Sequence, residues 1–131
     1  MSLRSLLLSL AVLAIALPAA AAEKKLMHCF AYTEIADASK EDWAAFYKAT
    51  SELPSKIRGL SDVWYGKLRR PLRTYGKNAE EPTMRQSGVC MELDNEAALA
   101  AYASDPAHAE WVKAYEKVRK PGTTTFDIIG Q

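Results

Sequence analysis

The 131-residue sequence predicts an α+β fold of strand-helix-strand-strand-helix-strand order, with the second helix broken in two. Three observations carry that expectation. Runs of apolar and β-prone residues of strand length recur at 26–33, 60–68, 87–93 and 123–129. Apolar residues at helical spacing fill the stretches between the first two runs and between the last two. Asp105-Pro106 stops and restarts the second helix, because Asp is a preferred N-cap and proline is tolerated at the first helical position.

The N-terminus stands apart from this pattern. Arg4 precedes an apolar stretch, residues 6–17, and then Pro18 and four alanines. These are the three parts of a secretory signal peptide, and Ala20-Ala21-Ala22 fits a cleavage site before Glu23. The stretch is too short to cross a hydrocarbon core of about 30 Å, which needs roughly 20 apolar residues. The expectation is a leader at 1–22 and a secreted or periplasmic mature domain at 23–131, with no stable membrane insertion after cleavage. An uncleaved anchor, its far end held by Lys24 and Lys25, is the alternative.

In the first mature strand His28, Phe30 and Tyr32 share one face, with Cys29 and Ala31 on the other. Ser39, three residues before Asp42, is an N-cap signal. Trp43, Phe46, Tyr47, Thr50 and Leu53 follow at helical spacing, and Pro54 is expected to stop the helix. Gly59 punctuates the chain before strand two, where Val63, Trp64 and Tyr65 supply the β-prone residues. Residues 69–84, rich in Arg and holding Pro71 and Pro82, read as a long polar loop. The third strand leads into an alanine-rich helix, 96–103, whose inward stripe includes Leu99 and Tyr102. After Asp105-Pro106 a further helix is expected to reach about Lys120, with Val112, Tyr115 and Val118 inward. Residues 123–129 close the domain, and the order is the ferredoxin-like one.

Composition excludes some functions. Without Arg4 the mature chain carries 16 basic and 16 acidic side chains, a balance that gives no electrostatic case for nucleic-acid binding. About 110 residues suffice for one modest core. Cys29 and Cys90 would enter an oxidising compartment, where a disulfide can form, but both sit in apolar, strand-like contexts that suit buried free thiols equally. A four-stranded sheet with helices on one face must cover the other. A second copy packed face to face, giving a dimeric α/β barrel, would cover it, and so would a long loop folding back.

Several segments together resemble a known family. LMHCFAYTE, IRGLSDVWYGK, VCMELDNEAALAAYASDPAHAEWV and TTTFDIIG are similar to the stress-responsive A/B-barrel (Dabb) proteins, over nearly all of the mature chain. The most specific piece is Tyr102-Ala-Ser-Asp-Pro-Ala-His108, which resembles the family's Tyr-x-x-His-Pro-x-His, and the strand-one His28 is the second. The resemblance implies a homodimer of dimeric α/β barrel type. It also implies cofactor-independent chemistry like that of the family's characterised polyketide cyclase, with His108 as general base, Tyr102 orienting the substrate and His28 lining the same cavity. Two departures stand out. The first histidine of the family's His-Pro-x-His is Asp105 here, and the cyclase's first-helix tyrosine falls at Thr50, with Tyr47 nearby as a possible replacement hydroxyl.

His28 and His108 are the only histidines. A histidine suits proton abstraction from a carbon acid because its unperturbed pKa of about 6.5 lies near working pH. A tyrosine hydroxyl suits donation to a developing enolate oxygen. Each histidine has a plainer reading, His28 as a satisfied core imidazole and His108 as a solvated side chain of a helix's first turn. Asp105 is explained by helix capping without any substrate. Tyr47, Thr50, Trp64 and Asp105 complete the candidate substrate-binding set. The histidines with Asp105 or Glu110 do not have the spacing of a metal site, so no metal and no cofactor are expected. Three functions fit: a cofactor-independent cyclase or isomerase acting on a small hydrophobic or aromatic carbonyl compound, a non-catalytic binder of such a ligand, or a monooxygenase-like or haem-binding relative using His108 as axial ligand.

Overall fold

The computed structural model describes residues 23–77 and 79–131, so the expected leader at 1–22 lies outside the described residues. The chain runs β1 (Leu26–Glu34), α1 (Lys40–Lys56), β2 (Leu60–Thr74), β3 (Thr83–Leu93), α2 (Glu96–Ser104), α3 (Pro106–Tyr115) and β4 (Arg119–Ile129). The strands form one antiparallel sheet in the order β2-β3-β1-β4. This is the ferredoxin-like arrangement, with its second helix split as expected.

Local chemistry sets most of the boundaries. Ser39 caps α1 by accepting the Asp42 amide at 3.0 Å, and Glu41 and Asp42 add negative charge to the first turn. Pro54 does not end the helix, contrary to expectation. A proline this near a C-terminus removes one hydrogen bond only, and the Ile57 amide reaches past it to the Leu53 carbonyl at 2.9 Å. Gly59 makes the turn into β2 with φ of 84°, against Ala98, where a side chain would collide.

Two other expectations are corrected. Half of the polar segment 69–84 belongs to a strand pair, because β2 continues to Thr74 and β3 starts at Thr83, with the connecting loop between them. A register shift between Lys67 and Leu72 takes up the extra residues, including Pro71, and a solvated two-stranded arm accepts arginines on both faces. The last helix stops at Tyr115 rather than near Lys120. Pro121 disfavours helical backbone at Lys120, and the Val118 carbonyl accepts the Ile35 amide at 2.9 Å, which draws the chain into β4.

The core lies between the helices and one sheet face, around Phe30, Tyr32, Phe46, Met91, Trp111 and Tyr115. On the opposite face Cys29 and Cys90 stand directly across β1 and β3 and form a disulfide, so the pairing that the sequence left open is made. It joins the two central strands over 61 residues of sequence, a closure worth about 4 kcal/mol on chain entropy. The arm covers part of this face, with Leu68 packed over Gly88. Trp64, Phe126 and Ile128 stay exposed on it.

Candidate functional site

The break between α2 and α3 places the first two groups of the site. Asp105 is extended, at φ −70° and ψ 134°, and caps α3 by accepting the Ala107 amide at 2.8 Å. Six residues of continuous helix would rotate about 600°, putting Tyr102 and His108 on different faces. With the break, their ring centroids lie 4.4 Å apart. His108 also stacks on Trp111, at 5.8 Å.

The third group comes from the sheet. His28 lies on the helix-facing side of β1, its ring 5.9 Å from that of Tyr102. Its register partner on β4 is Asp127, and His28 Nδ1 lies 2.6 Å from Asp127 Oδ1. A carboxylate so placed accepts a hydrogen bond from Nδ1–H, which leaves Nε2 as the free acceptor nitrogen. The three rings border one cavity of about 200 Å³, whose far end is lined by Arg119, Thr123 and Thr125.

Burial sets the protonation states. It lowers the pKa of His108, and the electrostatic influence of the nearby His28 ring adds to that effect, while a hydrogen bond to the Ala103 backbone and the charge of Asp105 oppose it. His108 is therefore a neutral imidazole at neutral pH. Burial pushes the Tyr102 phenol far above its ordinary value, so its hydroxyl stays protonated as a donor. A neutral base beside a hydroxyl donor can take a proton from carbon and stabilise the oxygen that becomes negative.

None of the four expected substrate-binding residues lines this cavity. Thr50 is fully buried between α1 and α3, where its hydroxyl donates to the Phe46 carbonyl at 2.7 Å and accepts the Trp111 indole N–H at 2.9 Å. Tyr47 stacks on Tyr65 at 5.5 Å, near the Lys67–Glu34 ion pair. Trp64 points from the opposite face of the sheet and is 72% exposed. Asp105 acts as the helix cap. Among the described residues no group of three or more His, Cys, Asp or Glu is placed to hold a metal ion.

Two members of the site were missed from sequence. Asp127 is a lone carboxylate on the helix-facing side of an otherwise apolar and hydroxylic strand, a signal that the alternation of TTTFDII contains. Arg119 was assigned to a helix end, although Pro121 pointed to a strand there. A larger concavity of about 440 Å³ lies under the arm on the other sheet face. It is lined by apolar groups with Lys67, Arg69 and Arg70 at its side, whereas both histidines border the smaller cavity.

No family model and no curated protein matches the sequence. Solved structures do. A dimeric ferredoxin-like protein of unknown function from Thermobifida fusca is 17% identical, with a TM-score of 0.59 over 82% of this chain and 92% of that one. A Dabb family protein with a ferredoxin-like fold from Mesorhizobium loti is 17% identical, with a TM-score of 0.55 over 83% and 99%. The hydroxynitrile lyase from Passiflora edulis is 11% identical, with a TM-score of 0.62 over 84% and 95%. At these identities the likeness is one of fold.

Proposed function

We propose that the chain is a Dabb-type protein whose helix-side cavity performs cofactor-independent proton transfer on a small aromatic or hydrophobic carbonyl compound, as a cyclase or isomerase does. The observation that carries this reading is the convergence of His108, Tyr102 and the His28–Asp127 pair on one cavity. Neutral His108 removes a proton from the carbon next to the carbonyl. Tyr102 donates a hydrogen bond to the enolate oxygen as charge develops, and His108, now protonated, returns the proton at the new position. Asp127 holds the His28 ring so that Nε2 can accept from a substrate hydroxyl. A cavity near 200 Å³ suits a single ring and is too small for haem, which weighs against the haem-binding alternative.

The experiment uses a probe rather than an identified substrate. Acetophenone incubated in deuterated water with the protein should exchange its methyl protons faster than in buffer, and His108→Ala should return the rate to that of buffer. Exchange at the buffer rate with the unaltered protein would refute proton transfer. A cavity that binds acetophenone without exchange would be that of a non-catalytic binder.

The same reading extends to assembly and location. The exposed Trp64, Phe126 and Ile128 on the uncovered sheet face, and the dimeric ferredoxin-like protein of Thermobifida fusca, support a homodimer formed through that face. The Cys29–Cys90 disulfide supports export with loss of residues 1–22, since such bonds persist in oxidising compartments. Native mass spectrometry of the periplasmic fraction should give twice the mass of residues 23–131. A monomer, or a chain retaining its leader, would contradict the corresponding half.

A further inference from the structure

The end of the cavity opposite the histidines holds a cation with little to bind. Arg119 begins β4 and lays its guanidinium over the Tyr115 ring, 4.6 Å from the centroid. Its Nε is buried and has no hydrogen-bond partner among the described residues. The nearest carboxylate, Glu116 at 3.8 Å, sits on a side chain that is 61% exposed, a weak and solvated pairing. Asp127 is already engaged by His28, and Asp105 by its helix. A buried N–H without an acceptor is costly, and a guanidinium fork is shaped for a two-oxygen anion. Thr123 and Thr125, whose hydroxyls lie 3.3 Å apart, border the same end and offer further donors. Between this end and the histidines the wall is aromatic, formed by Phe30, Trp111 and Tyr115.

We infer that Arg119 is the specificity-determining residue of the site and that its ligand is a carboxylate-bearing ring compound. The acid group is held by Arg119 and the threonines, and the ring lies toward Tyr102 and His108. This rests on the cavity being a ligand pocket, as proposed above. The carboxylate fills the vacant acceptor role at Nε, and its orientation fixes which carbon faces His108.

Benzoate and its neutral isostere benzamide test the inference, with binding followed by calorimetry and its place read from the His108 ring signals in nuclear magnetic resonance. Benzoate should bind at least about tenfold more tightly than benzamide, the range of a charge-assisted hydrogen bond. Arg119→Gln should bring benzoate down to the benzamide level, while Arg119→Lys keeps part of the preference. Equal affinities in the unaltered protein, or a preference that survives Arg119→Gln, would overturn the carboxylate assignment while the pocket itself stands. If neither compound moves the His108 signals, the ligand-pocket reading fails and this inference with it. The comparison of the two compounds on the unaltered protein needs no variant, so it holds even if an Arg119 substitution unfolds the chain.

Discussion

The two ends of the helix-on-sheet interface are built from the same kinds of residue and do opposite things. At the α1 end, Phe46 meets Tyr32, Trp111 and Tyr115 ring against ring, Tyr47 stacks on Tyr65, and the Thr50 hydroxyl satisfies the Trp111 indole. The cleft of about 270 Å³ that remains between α1 and α3 brings no histidine to its wall. At the α2–α3 end, Tyr102, His108 and His28 are equally aromatic, but the helix break and the short β4 side chains leave a cavity between them. Aromatic and hydroxyl groups mark a site only where packing is incomplete. The family resemblance drew Thr50 and its neighbour Tyr47 into the candidate set, and neither packing environment leaves a ligand within reach of them.

The largest effect that would sharpen this contrast is on stability. Phe46→Ala should cost about 3–5 kcal/mol in chemical denaturation, the usual toll of removing a fully buried phenylalanine. His108→Ala should cost under about 1 kcal/mol, since the ring borders space rather than filling it. Comparable losses for the two would mean that the ends are packed alike.

A smaller effect separates the ends by pH. The folded-state pKa of His108 is lowered by burial, so the unfolded chain binds its proton first as pH falls. Stability linked to this group is fully present above about 6.5, the unfolded value, and is lost as pH falls through the folded value. Denaturation midpoints should decline over that window, and His108→Ala should flatten the decline. An unchanged profile in the variant would show that the ring is as solvated as in the unfolded chain.

Much of the architecture was legible in the sequence because it rests on local rules. The alternation of His28, Phe30 and Tyr32 gave their common face, and Asp105-Pro106 gave the helix break on which the Tyr102–His108 pairing depends. The rest needed partners. Trp64 and Tyr65 are adjacent aromatics, and only the pairing of Trp64 with Cys90 and of Tyr65 with Val89 tells which of the two faces the helices. The arm was read as a loop because solvated strands carry the same arginines and prolines as loops do. Arg119 was hidden by extending a helix pattern past Val118, whose burial belongs to the turn into β4.

The two histidines of the chain make the site directly observable, since a protein with ¹⁵N-labelled imidazoles gives only their signals. The measurement is the ring spectrum of His28 and His108 with and without acetophenone. His28 should show the tautomer protonated at Nδ1, held there by Asp127, and the signals of both rings should move together as the probe is added. A His28 ring protonated at Nε2, or a probe that shifts one histidine and leaves the other unmoved, would contradict a single shared cavity.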